Sequence, residues 1–140
     1  MKKTVKIFAL VFLLINCSCK AQMVQTTKDV YLLKTNAQQF INKPLKDLLK
    51  EIKPQIITGS GSNEEGYQYF SFRFRTMEDW KKNQGNWEDR VSLYVYVKEP
   101  IDWKWEKRPK GKESIWTKED AAKYADLIVV RIKVINESKE

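Results

Sequence analysis

Three segments of this chain alternate apolar and polar side chains with a period of two, and that pattern restricts its fold more than any other feature. In YQYFSFRFR (67–75), Phe70, Phe72 and Phe74 fall on one side, with Tyr69, Ser71, Arg73 and Arg75 on the other. In RVSLYVYVK (90–98), Val91, Leu93, Val95 and Val97 share a side opposite Ser92, Tyr94, Tyr96 and Lys98. In LIVVRIKVI (127–135), Ile128, Val130, Ile132 and Val134 lie opposite Arg131 and Lys133. Successive side chains of a strand point to opposite faces, so each segment reads as a strand buried on one side only.

A sheet with one apolar face needs a covering layer. PLKDLLKEI (44–52) places Leu45, Leu48, Leu49 and Ile52 at the i, i+3, i+4, i+7 spacing of an amphipathic helix, with Pro44 suited to its first turn and Pro54 just past its end. The expected fold is therefore α+β: one main helix packed on a three- to four-stranded, largely antiparallel sheet, with short helices in the connections. Two such helices are signalled. TMEDWKKNQG (76–85) offers Thr76 as N-cap and Gly85 as a stop, and TKEDAAKYAD (117–126) pairs Thr117 with Asp120 as a capping box. DVYLL (29–33) reads as a short extra strand, and the glycine- and serine-rich TGSGSNEEG (58–66) as a mobile loop.

The N-terminus has a different character. In MKKTVKIFALVFLLINCSCKAQ, Lys2, Lys3 and Lys6 precede an apolar run that stops at Asn16. That run is far shorter than the ~20 residues a membrane-crossing helix requires, and it matches a secretory signal. The expected organisation is a signal peptide over 1–16, a tether over 17–28 and a single α+β domain over 29–140. Both cysteines, Cys17 and Cys19, stand at the end of the signal, so no disulfide forms within the remainder. Leu14-Ile15-Asn16-Cys17 resembles a bacterial lipobox, Ser18-Cys19 offers a second lipidation point, and cleavage after Ala21 is a third option. These residues resemble the leaders of small envelope lipoproteins of the Bacteroidota. The resemblance implies export, a periplasmic location and lipid anchoring to the outer membrane, and the lack of acids in SCKAQMVQTTK favours its inner side. FINKPLKDLL (40–49) resembles a helix of the BamE-like outer-membrane assembly lipoproteins, and no functional residue is carried across from it.

Charge and aromatic residues point to binding. The formal net charge is +8, or +5 from Cys17 onward, and residues 103–112 hold +4 of it, with Lys104, Lys107, Arg108, Lys110 and Lys112 against Glu106 around Trp103 and Trp105. An exported chain does not meet nucleic acid, so the partners expected are the membrane through the lipid anchor and an acidic protein or anionic envelope polymer. The two tryptophans alternate as in a strand. They form either an exposed interface pair or an arrangement in which one ring pins the loop to the core. A second candidate surface is the polar sheet face with Tyr69, Arg73, Arg75, Tyr94, Tyr96, Arg131 and Lys133, which can stack sugars and hold anions or can simply be a solvated face.

The sequence contains no histidine, and no cysteine beyond Cys19. That removes the ligands of common zinc, copper and non-haem iron sites and rules out Ser-His-Asp and Cys-His catalysis; no cofactor is expected. EDWKKNQGNWED (78–89) sets Glu78 and Asp79 before Trp80, and Glu88 and Asp89 after Trp87. Such acids can serve a glycosidase, or can stabilise a helix start and a surface ion pair. The expected function is a non-catalytic, envelope-anchored binding or assembly module. The alternatives are an immunity-type lipoprotein that neutralises an exported toxin and a carboxylate-dependent glycan hydrolase.

Overall fold

A computed structural model describes residues 21–136 of the chain. The signal segment 1–16, Cys17 and Cys19 lie outside the described residues. Four strands, β1 (Thr58–Ser62), β2 (Gln68–Arg73), β3 (Val91–Val97) and β4 (Val129–Asn136), form one antiparallel sheet in the order β1-β2-β3-β4. The expected α+β class and antiparallel sheet are therefore present. Each strand neighbours the one before it, so the topology is a plain meander.

The inner face follows the alternation. Phe72 lies opposite Leu93 and Leu93 opposite Val134, while Phe70, Val95 and Ile132 form the next row. Phe70, Phe72, Leu93 and Val95 are fully buried. The expectation for β4 needs one correction. Tyr96 pairs with Arg131 but Val97 pairs with Val129, so Val130 is an extra residue in a β-bulge. The bulge reverses the phase: Val129 is buried and Val130, expected inside, is 42% exposed.

The segment expected to be a mobile loop supplies an edge strand instead. Gly59 and Gly61 of β1 sit opposite Phe72 and Phe70, on the inner face. A Cβ on Gly59 would lie 2.9 Å from Trp116, and one on Gly61 2.5 Å from Cγ2 of Ile101. Glycine is thus required because other side chains lie directly against the β1 backbone. The turn proper is confined to 63–67, where Glu65 and Gly66 take left-handed φ values of 53° and 79°.

There are four short helices: α1 (Tyr31–Thr35), α2 (Leu45–Leu49), α3 (Met77–Lys81) and α4 (Lys118–Lys123). α1, α2 and α4 belong to the covering layer of the inner face, whereas α3 sets Trp80 on Arg73 of the outer face. DVYLL does not form the expected strand. Val30 and Leu33, three apart, are both fully buried while Tyr31 is exposed, which is helical and not alternating spacing. Leu45, Leu48 and Ile52 are buried as their spacing demands, yet α2 ends at Leu49, and Ile52 instead forms a parallel bridge with Val24. Val24 is fully buried, and its N–H donates to the Glu51 carbonyl at 2.8 Å. Packing therefore begins inside the stretch expected to be a tether. Both predicted caps are formed. Thr76 Oγ1 accepts from the Asp79 N–H, and Thr117 and Asp120 exchange the two bonds of a capping box. No helix among the described residues is long and apolar enough to cross a membrane.

Candidate functional site: the tryptophan loop and its groove

The two tryptophans of the basic loop have separate fates. Trp103 is half-buried, its ring stacked parallel to Trp116 at 6.3 Å and near-parallel to Tyr124 at 5.9 Å. Trp116 in turn meets Phe72 and Phe70 edge-on at 4.8 and 5.9 Å, in the space that Gly59 leaves open. Trp103 thus extends the core beyond the sheet edge. Trp105 stands edge-on to it at 6.3 Å and remains 46% exposed.

Arg108 is likewise structural. Its guanidinium lies 4.0 Å from the centre of the Trp103 ring and holds both carboxylate oxygens of Asp120, at 3.0 and 2.8 Å. It also donates to the Ile115 carbonyl at 2.7 Å. Burial pushes the Asp120 carboxyl up, but the Arg108 guanidinium and the Thr117 N–H together hold it below the usual carboxylate range. The same hydrogen bond to Asp120 raises Arg108. The start of the loop is fastened too. Asn63 exchanges two hydrogen bonds with the backbone of Ile101, at 2.7 and 2.8 Å, and Tyr124 Oη donates to the Asp102 carbonyl at 2.6 Å.

What the loop presents outward is Trp105 with exposed Lys107, Lys110 and Lys112, and Lys104 beside Asp102 at 3.7 Å. A groove of about 730 Å³ opens between this loop and α3. Ile57, Met77, Trp105 and Ile115 give it an apolar lining, Lys81 and Lys82 a basic one. Two acids also reach it, and both are engaged. Glu78 pairs with Lys82 at 2.7 Å, and Glu113 accepts from the Gly111 N–H at 2.9 Å, a bond that lowers its pKa. Sequence reasoning missed α3 as a wall of this site; its signal was the exposed Lys81-Lys82 pair at the end of a capped helix.

The polar sheet face is divided. Arg73 lies 4.3 Å from the centre of the Trp80 ring and donates to Ser92 Oγ at 3.3 Å, so α3 covers that end. Arg75, expected on the open face, is only 5% exposed and donates to the Asn86 carbonyl. The alternation stops where β2 ends at Arg73, and the chain then turns into α3. The other end stays open. There Tyr69 lies 6.0 Å from Tyr94 and 5.3 Å from Tyr96, Arg131 sits 5.2 Å over Tyr96, and Lys133 6.0 Å from Tyr94. Tyr67, absent from the expected set, joins them edge-on to Tyr96 at 6.5 Å.

The acids of 78–89 act as fasteners. Besides Glu78, Glu88 pairs with Lys28 at 2.8 Å and Asp89 accepts from Thr27 Oγ1 at 2.8 Å, tying the 87–89 turn to the N-terminal segment. Among the described residues no three Asp, Glu, His or Cys side chains come together in a way that could hold a metal ion. Compared with known protein families, curated proteins and solved structures, the chain matches none.

Proposed function

We propose that the protein is a non-catalytic binding module of the cell envelope, anchored through Cys17 or Cys19, that takes an acidic partner at the groove beside Trp105. The observation that carries this reading is the division of labour within one loop. Trp103 and Arg108 are committed to packing, and this fixes Trp105 in an exposed position among Lys104, Lys107, Lys110 and Lys112. An exposed aromatic ring held in place loses little conformational freedom on binding, which is why tryptophan so often dominates interfaces. The surrounding lysines are spread along the rim, where charge accelerates encounter and selects partners of opposite sign. The groove volume falls within the ~300–1,000 Å³ of ordinary ligand sites. The basic, apolar opening of the sequence, with two cysteines at its end, supports the envelope location.

The test is co-sedimentation of protein expressed from the full sequence with lipid-free cell-wall sacculi, and pull-down on acidic protein baits, each at two salt concentrations. A variant with Lys104, Lys107, Lys110 and Lys112 changed to Gln, but with Arg108 retained, should keep the fold and lose salt-sensitive binding. Binding that is unchanged in this variant would dismiss the loop as the recognition element.

A further inference from the structure

The open end of the outer sheet face forms a second site, independent of the Trp105 groove. A cleft of about 240 Å³ is lined by Glu64, Glu65, Tyr67, Tyr69, Tyr96 and Arg131. We propose that this cleft binds a saccharide chain, stacking a sugar ring on the tyrosines and clasping its hydroxyls with Glu64, Glu65 and Arg131.

The composition of the cleft selects this ligand over others. Tyr69 and Tyr96 are tilted 39° to one another at 5.3 Å, and Tyr67 stands at 90° to Tyr96, so the rings make a floor and a wall. Such an arrangement accepts a flat, weakly apolar body such as the C–H face of a pyranose, and a tyrosine supplies a hydroxyl as well. A cationic ligand is disfavoured, because Arg131 already places a positive charge in the cleft, over the Tyr96 ring, while Tyr67 stands exposed for a sugar face. A polyanion is disfavoured too, since Glu64 and Glu65 border the same cleft. What remains is a neutral, polyhydroxylated ligand. Carboxylate and guanidinium groups both make paired, charge-assisted hydrogen bonds, and adjacent sugar hydroxyls match that spacing.

The backbone points to the same cleft. Glu65 adopts φ 53°, a left-handed conformation that costs a non-glycine residue energy, and Gly66 follows at 79°. This turn carries Glu64 and Glu65 to the border of the cleft. Tyr67 is 62% exposed, the most exposed large ring among the described residues. Being so far out of the core, it can be removed without unfolding the protein.

The experiment uses protein expressed from the full sequence on an array of neutral, amino and acidic oligosaccharides, followed by amide NMR titration with the best-bound neutral glycan. The expected result is saturable binding to a neutral glycan that perturbs 64–69, Tyr96 and Arg131 and leaves 103–116 unmoved. Tyr67→Ala and Arg131→Gln should each weaken it by about tenfold or more while keeping the melting temperature. Binding confined to acidic glycans and abolished by salt, binding unaffected by both variants, or no saturable binding at all would each overturn the proposal. The Trp105 groove can fail its own test without affecting this one, since the two sites share no residue.

Discussion

Arg108 ties together three parts of the chain: the Trp103 ring, the Ile115 carbonyl and the first turn of α4 through Asp120. Its partner is almost fully buried, with a side-chain exposure of 9%. Arg108→Gln would leave that carboxylate without its counter-charge, and removal of one member of a buried pair costs ~3–5 kcal/mol, so a loss of about 3 kcal/mol in urea unfolding is expected. The pair also predicts an acid dependence. Asp120 titrates lower in the folded protein than the ~3.9 of an unfolded aspartate, so the unfolded state binds more protons through this range. Its stabilising contribution is full above about pH 4 and is lost as pH falls through the folded value. An Asp120→Asn variant should show a flatter stability profile between pH 5 and the acid limit, of about that one group's size. Five cations line the 104–112 segment, and only one is an arginine. A guanidinium has a planar fork that fits a carboxylate and a flat face that lies on an indole, whereas an ammonium has neither. That signal was legible in the sequence, but Asp120 is twelve residues away, and no local pattern joins the two.

The strands β2 and β3 could be read from period two because each is buried on one face along its whole length. β4 could be read only up to its bulge, since an extra residue changes the face without changing the composition. β1 was hidden for a different reason: TGSGS lacks the branched and aromatic residues by which a strand is recognised, because its inner face must stay bare for Trp116 and Ile101. Gly61→Ala tests this directly. The added methyl would lie 2.5 Å from Ile101, and overpacking of this kind costs ~1–3 kcal/mol. Thermal unfolding should show that loss. Gly66→Ala has open space around it and carries only the penalty of its positive φ, so it should cost less. The starts of α3 and α4 were legible, because a cap is a local arrangement of three or four residues, but α3 ends at Lys81, ahead of the positive φ of Asn83, and not at Gly85.

At the scale of the whole molecule, the meander has one face sealed by short helices and an aromatic extension, and the two proposed binding surfaces lie at its margins. The groove is at the β1 edge, where the 103–116 segment closes over the sheet, and the tyrosine cleft is at the opposite end of the outer face. The basic tryptophan loop was legible as a candidate site; its split into packing and presenting halves was not, since Trp103 and Trp105 have the same local surroundings in sequence. Trp105→Ala and Trp103→Ala, compared for both melting temperature and binding to an acidic partner surface, test that split most directly. Truncation of a fully buried aromatic costs ~3–5 kcal/mol, so half-buried Trp103→Ala should cost less than that yet lower the melting temperature, whereas Trp105→Ala should leave it unchanged and abolish binding. Equal destabilisation by both substitutions, or full binding by Trp105→Ala, would contradict the assignment of Trp105 as the presented ring.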